Sequence, residues 1–428
     1  MWVLEDDPVL RSTFANVSFL DRPPDLDRFK QRMLLAAEHF PRLRQRVVAP
    51  LRPGAVPTWA DDDLFDLDFH VRRVAVPPPG DDRQVLDLAA LLSADPFDRS
   101  RPLWQFWLVD GLADGRGAMI QKLHHTIADG EAGVRLSALF LDLERDAEQP
   151  MVLPEPVEEP AEPSLVDRVR GPVETARRLA SDGIGVATDP LGAARSVMRQ
   201  VAVTDAAHSP LWVERSLRRH LEVLRVPLED VKAAAKRLGG TVNDLFVAGA
   251  CGAAGAYHRE RGAEVDTLRM AMPVSTRRSS GEEGANAFAP TRMLVPCGIA
   301  DPAERFRAVQ AVINETKAER AVGLVSSLAG VLTAVPSQLL TRAARQQVGT
   351  VDFTTSNVRG APFDLFFAGA RIEANHPIGP LAGTAFNLTT LSYRGSLDMG
   401  VICDLAAVDD PVRLRELLEL SYEELLSA

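Results

Sequence analysis

Between residues 144 and 163 the chain sets five prolines (Pro150, Pro154, Pro156, Pro160 and Pro163) among acidic residues. Such a composition cannot build a core and favours extended, semi-rigid backbone. Whatever lies on either side must bury its own apolar surface. The length agrees, because 428 residues exceed the size at which one hydrophobic core usually stops growing. The chain therefore reads as an N-terminal unit over 1–148, a linker with an irregular helical excursion over 149–208, and a C-terminal unit over 209–428. An active site between the two units is the natural expectation.

Within the first unit, residues 13–20 alternate as a strand, and Asp25 offers an N-cap to a helix with Leu26, Phe29, Met33, Ala37 and Phe40 at helical spacing. Pro41 ends that helix, and residues 43–48 and 65–76 read as extended. A strand follows Pro102-Leu103, turns at Asp114-Gly115, and is answered by a strand over 118–123 that carries His124 and His125 at its carboxyl end. Beyond Gly130 the pattern is helical, with Val134, Leu136, Leu139, Phe140 and Leu143 on or near one face. In the second unit, 228–238 is helical, Thr241 caps a helix containing Asn243 and Asp244, and 269–274 is a strand. Residues 386–394 and 397–404 form a hairpin, and Pro411 opens a last amphipathic helix. Strands alternating with helices in both units place the chain in the mixed α/β class.

The charge balance narrows the partners. Lys and Arg total 48 against 59 Asp and Glu, a net charge of −11, and no basic block with interleaved aromatics occurs. Nucleic acid is excluded as an expected partner. Cys251, Cys297 and Cys403 are odd in number and lack CxxC spacing, as expected of buried thiols in a reducing compartment. The N-terminus has no basic segment leading into an apolar one, and the longest weakly charged stretch, 321–341, is broken by Gly323, Gly330 and Pro336. It reads as a helix pair or an interfacial helix, and the protein as cytoplasmic.

Chemistry concentrates at His124-His125-Thr126-Ile127-Ala128-Asp129-Gly130. Successive strand side chains point to opposite faces, so the two imidazoles cannot address one substrate equally: one acts and one supports. An imidazole whose ordinary pKa is near ~6.5 can take a hydroxyl proton at cellular pH. Asp129 has the charge to pair with an arginine, and Gly130 lets the backbone turn before the helix. Taken alone, such a pair is more often an ordinary hydrogen-bonded couple or a weak metal site than a catalytic one. A zinc site would need further ligands, and neither HExxH nor a cysteine partner is present; a Gly-x-Ser-x-Gly elbow is missing too.

This segment matches the HHxxxDG motif of the CoA-dependent acyltransferase superfamily. Pro102-Leu103-Trp104 resembles the PLW motif of bacterial wax ester synthase/diacylglycerol acyltransferases, and Thr241-Val242-Asn243-Asp244 their ND motif. Ser356-Asn357-Val358-Arg359-Gly360-Ala361-Pro362 is similar to their SNVPGP stretch, with Arg359 and Ala361 departing from it. The resemblance runs in collinear order over essentially the whole chain. It implies an α/β (α+β) fold of two chloramphenicol-acetyltransferase-like subdomains, each a mixed sheet with helices, with a tunnel between them and His125 near its middle.

The resemblance makes His125 the general base, His124 its support, and Asp129 a structural residue, salt-bridged to Arg44 or else Arg46. Asn243, Asp244, Thr355, Ser356 and Asn357 become candidate donors to a substrate or oxyanion, although Asp244 reads equally well as a helix cap and 355–357 as turn chemistry. Trp104 becomes a tunnel wall or plain core, and Glu5 a polar residue before the first strand. The small residues over 248–256 leave room for an acyl chain or allow close helix packing. The implied reaction moves a fatty acyl group from acyl-CoA, as co-substrate with no cofactor or metal, to diacylglycerol or a long-chain alcohol. Peripheral association with a membrane or lipid droplet would go with it. Transfer to a natural-product hydroxyl or amine and non-catalytic lipid binding are the rival readings.

Overall fold

A computed structural model describes residues 2–49, 57–128, 130–148, 207–275, 288–322 and 337–428. Of the expected linker and helical excursion over 149–208 all but 207–208, and most of 321–341, lie outside them. The first half runs β1 (Thr13–Leu20), α1 (Leu26–His39), β2 (Gln45–Val48), β3 (Thr58–Asp61), α2 (Leu67–His70), β4 (Val71–Ala75), α3 (Asp82–Ala94), β5 (Trp104–Asp110), β6 (Gly117–His124), α4 (Gly130–Ser137) and β7 (Leu141–Asp142). The second runs β8 (Arg219–Pro227), α5 (Leu228–Arg237), α6 (Val242–Glu260), β9 (Thr267–Ser275), β10 (Phe288–Pro296), α7 (Pro302–Val322), α8 (Ser337–Val348) and β11 (Phe353–Arg359). It ends with β12 (Phe366–Phe367), β13 (Ala370–Ile378), β14 (Phe386–Tyr393), β15 (Ser396–Asp404) and α9 (Pro411–Ser427).

Local chemistry accounts for most of these boundaries. The Asp25 carboxylate accepts from the Arg28 backbone N–H and starts α1, and Asp81 with Gln84 closes a capping box at α3. Arg394 and Gly395, at φ 51° and 78°, form the two-residue turn between β14 and β15, a conformation that suits the twist of a hairpin. Two expectations are corrected. Residues 65–76 are not continuously extended, because Asp66 caps one helical turn before β4. The helix after Gly130 stops at Ser137, leaving Val134 and Leu143 exposed while Leu136, Leu139 and Phe140 are buried.

Seven strands make the first sheet, in the order β4-β5-β6-β1-β13-β12-β7, and six the second, β10-β9-β11-β14-β15-β8. The expected division at 148/209 therefore fails to follow the sheets: β12 and β13, late in the chain, complete the first one. β13 pairs antiparallel with β1, Ser18 opposite Asn375. α1 and α4 residues pack on one face of this sheet around Phe29, Phe106 and Phe140. Val17, Ile120 and Trp107 on the other face pack with α3 and with Leu221 and Ile402 of the second sheet. The second core forms between its sheet, α6 and α9. The small residues of α6 are consumed there, since a Cβ on Gly249 would overlap the Tyr422 ring and one on Gly255 the Cys297 carbonyl. They serve helix packing and open no space for a ligand.

Where the halves meet, β13 leans on β15. His376 Nδ1 hydrogen-bonds the Met399 carbonyl at 3.1 Å, and a Cβ on Gly400 would overlap the Pro377 carbonyl. Gly400→Ala should accordingly force the sheets apart and cost about 1–3 kcal/mol, read as a lowered midpoint in thermal unfolding; an unchanged midpoint would show that the junction yields freely.

Candidate active site

β6 is buried along its whole length, and its last residue, His124, is opposite Thr13 of β1. The His124 ring is completely buried. The Thr126 backbone N–H points at its Nδ1 at 3.1 Å, so Nδ1 holds a lone pair and Nε2 carries the proton that is donated to Glu5 Oε2 at 2.9 Å. Glu5 Oε2 also accepts from the Ser12 backbone N–H at 3.0 Å. Burial drives the Glu5 carboxyl upward, but His124, the Ser12 N–H and the Arg11 charge outweigh it and hold the carboxyl below its ordinary range. Two residues earlier on the same strand face, Lys122 donates to the Asp95 carbonyl at 2.8 Å, and burial draws its ammonium down to about 8.

The chain turns directly after this anchor. Ile127 N–H donates back to the His124 carbonyl at 2.9 Å, and His125 N–H to the Ser12 carbonyl at 3.1 Å. His125 is half-buried, with its ring tilted at 44° against Phe14 at 4.8 Å. Phe14 belongs to the opposite face of β1 from Thr13. The two imidazoles thus occupy different surroundings: one locked to a carboxylate, one beside an aromatic ring. Asp129 lies outside the described residues, and with it the expected salt bridge. Arg44 is exposed with its guanidinium over the Phe65 ring at 5.7 Å, and Arg46 is on β2. Gly130 begins α4, which lies against β11.

On β11 the period of two separates the expected donors. Thr355 is buried and its hydroxyl donates to Met270 Sδ at 3.3 Å, while Ser356, half-buried, is on the other face opposite Thr389 of β14. Asn357 shares the face of Thr355 near the strand end, and its Nδ2 donates to Asn243 Oδ1 at 3.3 Å. Residues 114 positions apart are thereby joined. Asn243 Nδ2 in turn meets Met272 Sδ at 3.8 Å, a weak acceptor. Asp244 completes a capping box with Thr241, and its Oδ1 has no hydrogen-bond partner among the described residues.

Of the two readings of Trp104, its surroundings match plain core. It is fully buried, donates Nε1–H to the Leu43 carbonyl at 2.8 Å, and stacks on His70 at 4.3 Å. Burial pulls the His70 imidazole down to about 4, as befits a neutral core group. Sequence reasoning overlooked Phe14, Thr126 and Lys122. Strand alternation could have flagged Lys122, two residues before His124; nothing local marks Phe14 or the pairing of Glu5 with His124.

With this geometry established, comparison with known proteins is direct. Residues 11–246 match the family model of the wax ester synthase/diacylglycerol acyltransferase catalytic domain, and residues 285–426 that of the WS/DGAT C-terminal domain. A Mycobacterium tuberculosis protein that carries a diacylglycerol O-acyltransferase name is 36% identical over 440 residues, covering 99% of this chain and 89% of its own. Another from the same organism, similarly named, is 32% identical over 415 residues, covering 92% and 90%. Among solved structures, the wax ester synthase/diacylglycerol acyltransferase from Marinobacter aquaeolei VT8 superposes with a TM-score of 0.65 at 22% identity, covering 97% of this chain and 94% of that one. The first condensation domain of the CDA synthetase gives 0.57 at 17%, covering 99% and 94%. The chain belongs to the wax ester synthase/diacylglycerol acyltransferase family. Among the described residues no helix is long and apolar enough to cross a membrane.

Because the Glu5 carboxyl is held low, the stability it adds is present above the ordinary carboxylate range and is lost as pH falls through the lowered value. Wild type should therefore exceed Glu5→Gln in thermal stability at neutral pH and lose that margin on acidification. Glu5→Ala, which leaves a buried N–H without an acceptor, should cost about 1–3 kcal/mol at neutral pH. Identical melting curves for wild type and both variants would remove Glu5 from the anchor.

Proposed function

We propose that this acyltransferase moves a fatty acyl group from acyl-CoA to an alcohol, diacylglycerol or a long-chain alcohol, with His125 as general base. His125 takes the hydroxyl proton, the alkoxide oxygen attacks the thioester carbonyl carbon, and the tetrahedral intermediate collapses with cleavage of the C–S bond. The imidazolium returns its proton to the departing CoA thiolate. Atoms and charges balance with no covalent acyl-enzyme and no cofactor, so donor and acceptor meet in a ternary complex. The acyl chain occupies a tunnel between the halves. An acceptor of this class dissolves in membranes and lipid droplets, and the reading carries with it peripheral attachment to such a surface.

The observation that supports this reading most is the division of labour between the histidines. His124 spends both ring nitrogens on Thr126 and Glu5, while His125 stands in the following turn against Phe14. A base held by its own backbone on a rigid strand end is preorganised. Asn243 suits the oxyanion: Asn357 fixes its carbonyl end, and among the described residues its amide N–H meets a thioether, a weak acceptor to leave. Asp129 would be structural, and Ser356, on the other face of β11, would contact substrate.

Release of CoA thiol from palmitoyl-CoA should require an added alcohol. His125→Ala should lower the rate by about 10²–10⁴-fold with unchanged circular dichroism, and Asn243→Ala by roughly 10²-fold. A full rate in His125→Ala would sink the mechanism. Offering diacylglycerol and hexadecanol together, with labelled donor, identifies the preferred acceptor from the product.

A further inference from the structure

We propose that the cavity between Arg11 and Arg219, where the two halves of the molecule meet, binds a small oxyanion of the size of inorganic phosphate. It lies on the side of Thr13, the face of β1 opposite Phe14, and its occupancy does not depend on the acyl-transfer reading. On that face Ala15 and Val17 pack with α3 and with Leu221 and Ile402 of the second sheet. At the end of this shared core a cavity of about 60 Å³ is lined by Arg11 and Thr13, by Ala94 of α3, by Ile378 of β13, and by Arg219 and Ile402 of the second sheet. At roughly 10–15 Å³ per water it takes about four to six waters, close to the number of heavy atoms in one phosphate ion. A nucleotide is several times too large.

The cations in its wall are incompletely matched. Arg11 gives one Nη to the Ala94 carbonyl at 2.8 Å, its Nε is buried without a partner, and no carboxylate pairs with it among the described residues. Arg219, at the start of β8, gives one Nη to Asp404 at 3.1 Å and to the Ser216 carbonyl at 2.9 Å. That carboxylate is shared, since it also accepts from the Ser216 N–H at 2.8 Å, the Ser216 hydroxyl at 2.7 Å and the Ala406 N–H at 2.9 Å. Arg219 keeps Nε and its second Nη without partners among the described residues. Burial, joined by the Arg11 charge, draws the Arg219 guanidinium below its ordinary range despite Asp404. Nearby charges are already engaged: Glu5 with His124 and Ser12, Lys122 with the Asp95 carbonyl.

Two like charges converging on one small, partly apolar space are costly without an anion between them. The groups they leave unspent are donors, and the Thr13 hydroxyl in the same wall is buried and unpartnered among the described residues. Guanidinium forks with a hydroxyl complement an oxyanion. Such an anion also acts on the histidine turn. Arg11 and Thr13 flank Ser12, whose N–H holds Glu5 and whose carbonyl accepts from the His125 N–H, so gripping both neighbours braces that residue.

Calorimetric titration of the full chain with sodium phosphate, in chloride buffer at constant ionic strength, tests the site. Wild type should bind phosphate and melt at a higher temperature with it. Arg219→Gln should weaken binding about tenfold or more. Leu217 is exposed at the rim and offers a pair of variants that leaves the arginines in place: Leu217→Glu, which supplies a competing carboxylate, should weaken binding, and Leu217→Gln should not. No binding to wild type, or equal binding by wild type, Arg219→Gln and Leu217→Glu, as for an adventitious ion, overturns the proposal. Saturating CoA should leave phosphate bound; its displacement would assign the arginines to the thioester donor and also overturn it. Phosphate should slow hydrogen exchange over residues 124–127 in wild type, and an unchanged rate would remove the link through Ser12.

Discussion

The position of β13 governs the molecule. It is hydrogen-bonded to β1 as a member of the first sheet, yet its end is pressed on β15 of the second, through His376 and Met399 and through Asn375 and Asp398. A strand delivered from the second half into the first joins the two halves of the chain through the backbone hydrogen bonds of the first sheet, and the sheets themselves are tied by bonds between side chains and backbone. Close approach is possible because Gly400 has no Cβ to meet Pro377. The site elements inherit their relation from this junction: β1 carries Phe14 to His125, β13 lies beside it, and β11 joins β14 in parallel with α4 against it.

Around that frame, the buried carboxylate of the anchor is paired with donors. His124 and Glu5 are both shut away from water, which penalises the carboxylate, but donors on Ser12 and His124 offset the penalty. The result is a turn whose geometry is set by its buried partner, and the neighbouring imidazole stands in that turn against Phe14. A similar economy holds at α6, where the cap formed by Thr241 and Asp244 fixes the first turn and thereby Asn243.

Short-range features were readable from residues alone. The bounds of β1, the Asp25 cap, the turn at Arg394-Gly395 and the Thr241 cap each follow from alternation or from a side chain bonding its own backbone within three residues. The motif residues His124, His125, Asn243 and Asn357 were named in advance, but not their grouping. Residues 65–76 misled because Asp66, a helix cap, interrupts an otherwise extended pattern. Trp104 stayed open between core and tunnel wall because an aromatic at a strand start has the same sequence appearance whether it faces a core or a ligand.

The sequence by itself determined the family, the alternation that makes the two histidines unequal, and the local caps and turns, since these depend on neighbours within a few residues and on motif order. Only the tertiary structure decided that Glu5 anchors His124, that Asn357 steadies Asn243, that the glycines of α6 are filled by Tyr422 and Cys297, and that β13 completes the first sheet. Each of those joins residues more than a hundred positions apart or turns on which surface covers a face. The physical reason is that alternation and capping are written in the chain, whereas the partner that satisfies a buried polar group is chosen by how the sheets pack.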